Sequence, residues 1–87
     1  MLEKHFILGV HITNRVQEAV DVQKCLTKYG GIIKTRLGMH ETEAVDDPNG
    51  LLVLELVGED EKKTGLRDDL DAIEGVEVQS MEFDHPM

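Results

Sequence analysis

Cysteine and clustered positive charge are what this sequence has least of. Cys25 is the sole thiol among 87 residues, so one chain can form no disulfide framework and no four-thiolate zinc or iron–sulfur site. A reducing, cytoplasmic setting is the expected one. Nine Lys and Arg stand against eighteen Asp and Glu, a formal charge of −9, and the longest basic run is Lys62-Lys63. Surplus acid repels phosphate backbones and anionic headgroups, which argues against nucleic acid or a membrane as a direct partner. Long hydrophobic runs are missing too. The nearly unbroken apolar stretches at residues 6–10 and 51–54 fall far below the roughly 20 residues a helix needs to cross a bilayer. No basic segment followed by an apolar one opens the sequence, so no targeting leader is expected.

Catalytic motifs are equally scarce. The sequence contains no Gly-rich phosphate loop ending in Lys-Ser/Thr, no Ser in a nucleophile elbow and no His-Glu-x-x-His. Asp46-Asp47 and Asp68-Asp69 read as a solvated loop and helix surface rather than as an acid–base pair. Cys25 falls mid-helix beside Leu26, where an inert thiol is the plain reading. The chain is therefore expected to be non-enzymatic, and no motif identifies a cofactor.

What the sequence has is periodicity. Phe6, Leu8, Val10 and Ile12 alternate with His5, Ile7, Gly9, His11 and Thr13, the period of a strand. From Asn14, a good N-cap, the pattern changes: Val16, Ala19, Val20, Val22, Leu26 and Tyr29 recur at helical spacings until Gly30-Gly31, predicting a helix over 15–29. Residues 32–40 alternate again, with Ile33, Thr35, Leu37 and Met39 against a polar set containing Lys34, Arg36 and His40. Asp47-Pro48-Asn49-Gly50 is strong turn chemistry closing a long hairpin loop, and 51–57 reads as a third strand. Leu66, Leu70 and Ile73 mark a second helix ending at Gly75. Gly65 is worth about 1 kcal/mol less than Ala there, which moves the expected start to Thr64 or later. Residues 76–83 read as a fourth strand.

The order β-α-β-β-α-β predicts an α+β, ferredoxin-like sandwich over residues 1–87, read as one domain: a four-stranded antiparallel sheet, strand order 4-1-3-2, with two helices on one face. So short a chain holds one core worth about 4 to 13 kcal/mol, so association would help it. If Phe6, Leu8, Val10 and Ile12 meet the helices, the open face carries Ile7, Gly9, His11, Lys34, Arg36, His40, Leu51, Val53, Glu55, Val57, Glu77, Gln79, Met81 and Phe83. That mixture is too apolar for a solvated face and too charged for a core, and it points to a homo-oligomer, dimer or tetramer, with Ile7, Val53, Glu55, Val57 and Met81 in the interface. Lys34 and Arg36 are expected to pair with Glu55 or Glu77 across the sheet. His11 and His40 share that face and are candidate metal ligands, but the third strand separates them, so one ion would need both only across subunits. Arg15 beside Asn14 stands at a helix start, where free backbone N–H groups favour an anion.

Ile7-Leu8-Gly9-Val10-His11-Ile12-Thr13-Asn14-Arg15, Ile33-Lys34-Thr35-Arg36-Leu37-Gly38-Met39-His40-Glu41 and Gly50-Leu51-Leu52-Val53-Leu54-Glu55-Leu56 together resemble the iron-only hydrogenase system regulator family. The likeness extends to Ile73-Glu74-Gly75-Val76-Glu77-Val78. It implies an ACT-like fold, similar also to the C-terminal domain of the nickel-responsive repressor, and a regulatory role with a small-molecule effector or a hydrogenase-system protein as partner. ACT domains bind effectors near the first strand-to-helix loop, which maps onto Thr13, Asn14 and Arg15, with Arg36 as a further candidate. This loop lacks the usual glycine. The nickel repressor's His-x-His and Cys ligands map onto Gly38, His40 and the Leu51-Leu52 pair, so one ligand of that set survives. The rival expectations are a metal sensor or carrier using His11 and His40 between subunits, and a purely structural assembly partner.

Overall fold

The period-two stretches fold as strands and the period-3.6 stretches as helices: β1 (His5–Ile12), α1 (Arg15–Lys28), a 3-10 turn (Gly30–Ile32), β2 (Ile33–Met39), β3 (Gly50–Leu56), α2 (Asp60–Asp71) and β4 (Val76–Phe83). The computed structural model describes residues 5–13, 15–39 and 50–84, and for residues 15–19 and 39 the backbone only. Asn14, His40 and the expected loop at 41–49 lie outside the described residues. All pairings are antiparallel and the strands run in the order β2-β3-β1-β4. This is the ferredoxin-like βαββαβ sandwich with two helices on one face of the sheet.

The core follows from the alternation. Phe6, Leu8, Val10 and Ile12 of β1 are buried against Leu54 and Leu56 of β3, Val76 of β4, Val22 and Leu26 of α1, and Leu66 and Leu70 of α2. Each large aliphatic side chain buried there stabilises the fold by about 1.5–3 kcal/mol at most. The stripe that α1 and the residue after it turn to the core is Val22, Cys25, Leu26 and Tyr29, spaced i, i+3, i+4 and i+7, with Val22 and Leu26 buried and Cys25 and Tyr29 half-buried. Val20, expected on that stripe, is 60% exposed.

Two expectations are corrected. The second helix starts at Asp60, not at Thr64 or later. Asp60 and Glu61 complement the dipole of its first turn, Lys63 tucks its stem down with the ammonium 5.8 Å from the Phe6 ring centroid, and these gains offset Gly65. The second correction concerns β2. Thr35, Leu37 and Met39 stand opposite Glu55, Val53 and Leu51, so they occupy the open face, whereas Arg36 stands opposite Leu54 on the helix side. A register shift between Ile33 and Thr35 sets this phase. The helices pack chiefly over β4 and β1, so edge strand β2 has little cover, and Arg36 can lie on the helix side and still be exposed.

Candidate functional site

Antiparallel partners lie opposite one another on the same face, and the register therefore arranges the open face in rows running across β2, β3, β1 and β4. Thr35, Glu55, Ile7 and Met81 form one row, Leu37, Val53, Gly9 and Gln79 the next, and Met39, Leu51, His11 and Glu77 a third. His5 beside Phe83 closes one end. Leu37, Met81 and Phe83 are each about half exposed, at 54%, 53% and 49%. Ile7 and Val53 are half-buried. Four of the five interface candidates thus share this face: Ile7, Val53, Glu55 and Met81. Val57 lies one residue beyond β3, half-buried, its N–H donating to the Ile32 carbonyl at 2.8 Å.

Gly9 sits mid-strand in the central row of a central strand. A Cβ there would meet nothing nearer than the Gln79 carbonyl oxygen at 3.9 Å, so packing does not require the glycine. Its missing side chain leaves a dip of about 210 Å³ lined by Gly9, His11, Leu51, Glu77 and Gln79. Gln79 Nε2 donates to Glu77 Oε2 at 3.3 Å on one wall, and the exposed His11 stands directly opposite Glu77. A wider, flatter dip of about 500 Å³ along the outside of α1, lined by Val20, Gln23, Lys24 and Thr27, brings together neither an acid nor a histidine.

The other histidine of the face is already engaged. His5 Nδ1 lies 3.1 Å from Glu55 Oε2. That hydrogen bond, helped by the charge of Lys34, holds the Glu55 carboxyl below its ordinary value against the opposing effect of burial. Glu55 is therefore paired with His5, and Arg36, on the opposite face, does not reach it. His40 lies outside the described residues, so the pairing of His11 with His40 does too. Among the described residues no group of three His, Cys, Asp or Glu is placed to hold a metal ion.

The strand-to-helix junction is pinned at its backbone. The Thr13 N–H donates to the Gly75 carbonyl at 2.8 Å, tying the start of α1 to the start of β4. Arg15 is the first residue of α1. Arg36 does not join them: it aligns with Leu54 and hence with Leu8, about 17 Å short of Thr13 along the strand direction and two strands across.

One polar cluster escaped the sequence reading. The Tyr29 hydroxyl donates to Asp69 Oδ2 at 2.7 Å and Lys28 Nζ to the same oxygen at 3.3 Å, bracing the end of α1 against α2. These bonds lower the Asp69 carboxyl and raise the Tyr29 phenol and the Lys28 ammonium. Burial, and then the Asp69 charge, push the neighbouring Cys25 thiol up, toward its protonated form. The usable signal was the single tyrosine at a helix end facing a glycine within the next helix.

No protein-family model and no curated protein matches this chain. Among solved structures it is similar to the uncharacterised protein TM1266 from Thermotoga maritima, with 23% identity, 92% of this chain and 98% of that one covered, and a TM-score of 0.79. It is also similar to CPII from Thiomonas intermedia K12, a nitrogen regulatory PII-like protein whose structure holds ADP, AMP and acetate. There the identity is 11%, the coverage 100% of this chain and 93% of that one, and the TM-score 0.62. A formyltetrahydrofolate deformylase from Pseudomonas putida KT2440 contains a similar unit: 14% identity, 91% of this chain but 28% of the enzyme, TM-score 0.57. What these share with the chain is the fold. Among the described residues no helix is long and apolar enough to cross a membrane.

Proposed function

We propose that this chain is a non-enzymatic regulatory module that pairs through its open sheet face and responds to a small ligand, within the hydrogenase-system setting that its sequence resemblance implies. The observation that carries the reading is the apolar face built by Ile7, Leu37, Val53, Met81 and Phe83, which no other described element covers. Four strands of seven or eight residues make a plan of roughly 19 by 27 Å at the usual strand spacing and rise. Two such faces, with the relief of their side chains, reach the roughly 1,000 Å² of a specific interface. Charge supports the same assignment. Of eighteen acidic residues, the described part of this face carries Glu55 and Glu77, and it also carries His5 and His11, so two copies of a −9 chain meet there with the least repulsion. The fold likeness to a PII-like regulatory protein is consistent with a sensing role, and the effector loop implied by the resemblance is Thr13 to Arg15.

The experiment is a thermal-shift screen of untagged protein against amino acids, nucleotides and divalent metals. A ligand at 100 times its Kd adds about 2.7 kcal/mol, roughly 10 to 20 °C for a domain of this size. A hit lost on Arg15→Ala supports the effector loop. A silent panel overturns the sensing role in favour of a structural assembly partner, and turnover of any compound by the pure protein overturns the non-enzymatic reading.

A further inference from the structure

We propose that the dip over Gly9 is half of a divalent transition-metal site, completed by the same half on a second copy, with His11 and Glu77 of each chain as its four ligands. The proposal rests on the reading that copies meet through the open sheet face.

Several features single out this place. The 210 Å³ dip is smaller than the roughly 300–1,000 Å³ of organic ligand pockets, but an ion needs only its ligands' reach. Gly9 lies in the middle row of a central strand, so a two-fold axis in the mid-plane between two facing sheets, running along β1, would set the two dips against each other and bring the His11–Glu77 pairs of both copies to the same height along the strand. Packed sheets lie about 10 Å apart. The mid-plane is then about 5 Å from each backbone, a distance spanned by a His or Glu side chain together with a metal–ligand bond of about 2.1 Å.

The side chains are disposed for it. The His11 side chain is exposed and makes no hydrogen bond or ion pair among the described residues, unlike that of His5, whose ring is bonded to Glu55. Glu77 has one carboxylate oxygen held by the Gln79 amide at 3.3 Å, the outer support that orients a ligating carboxylate, and its other oxygen remains for the ion. One chain brings together fewer than three such donors among its described residues, so the site is incomplete without the second copy. Two imidazoles and two carboxylates suit zinc and its neighbours better than magnesium or calcium, which prefer oxygen alone. The two carboxylates neutralise a dication, and the −9 chain raises the local concentration of cations.

The test uses untagged full chain titrated with zinc alone, and with cobalt(II), whose visible absorption reports tetrahedral coordination, while sedimentation reports the mass. The expected result is one ion per two chains. His11→Ala and Glu77→Gln should each weaken binding at least 100-fold and remove the cobalt band, Gln79→Ala should weaken it 10- to 100-fold, and Val20→Lys, on the outer side of α1, should leave it unchanged. All four positions are exposed, and an unaltered melting temperature in chelator shows that the variants fold. One ion per single chain, binding that survives His11→Ala, or a wild-type dimer that takes up no zinc overturns the metal site and leaves the interface standing. A wild-type chain that stays monomeric, with a mass indifferent to Val53→Lys, overturns the interface itself.

Discussion

Gly65 and Tyr29 act on each other across the helix layer. A Cβ at Gly65 would lie 3.0 Å from the Tyr29 hydroxyl, tighter than ordinary contact, and that hydroxyl is the one bonded to Asp69. Gly65→Ala alone should therefore forgo the stabilisation of about 1 kcal/mol that alanine usually brings to a helix interior. In a Tyr29→Phe background the oxygen is gone and the full gain should appear, and melting curves of the four proteins in the cycle check the coupling. Equal effects of Gly65→Ala in both backgrounds would contradict it. The same cluster sets a pH window. The Asp69 carboxyl is lowered from 3.8, first by the Tyr29 hydrogen bond, so its stabilising contribution is complete above pH 3.8 and lost as the pH falls below that value. The Tyr29 phenol is raised from 10.0, first by the same bond, so its contribution is complete below pH 10.0 and lost as the pH rises past it. Asp69→Asn is expected to lower the melting temperature at pH 7 and to converge on the wild type in acid, read from melting temperatures across that range.

At the scale of elements, burial decides which substitutions matter. Leu66 of α2 is fully buried among side chains of the sheet and α1, and Leu66→Ala should destabilise by about 2–5 kcal/mol, a large share of what so small a fold possesses. Denaturant titration checks it. Val20, spaced to suit the same kind of stripe but 60% exposed, should tolerate Val20→Lys without measurable loss. The strands, helices and strand order were legible in the sequence because period two and period 3.6 differ sharply, and Gly30, Gly58 and Gly75 punctuate them. The face presented by β2 was not. Reading its apolar set as helix-facing assumed that helices cover the whole sheet, but edge strand β2 has little cover, and a register shift after Ile33 sets which residues face which way. Leu37 consequently joins the open face and Arg36 leaves it. Of the candidate site, His11 and the apolar rows were legible from alternation. The dip over Gly9 was not, because its walls come from β3, β1 and β4, which are distant in sequence, and the support of Glu77 by Gln79 was not, because a spacing of two on a strand shows that side chains share a face but not that they bond.

For the whole molecule, charge and surface pull against each other. A chain of −9 repels its own copies, while its open face offers apolar area low in acid. Pairing should accordingly tighten as salt screens the repulsion, the opposite of a complex held by opposite charges, and sedimentation at low and high ionic strength reads the sign directly. The most direct measurement is the solution mass of untagged wild type beside Val53→Lys, with Val20→Lys as the control on the outer face of α1. Wild type and Val20→Lys are expected at twice the chain mass or a higher even multiple, and Val53→Lys at the mass of a single chain. A wild type at the single-chain mass, or a Val53→Lys variant that still assembles, would contradict the assignment of the open sheet face as the surface through which copies of this chain meet.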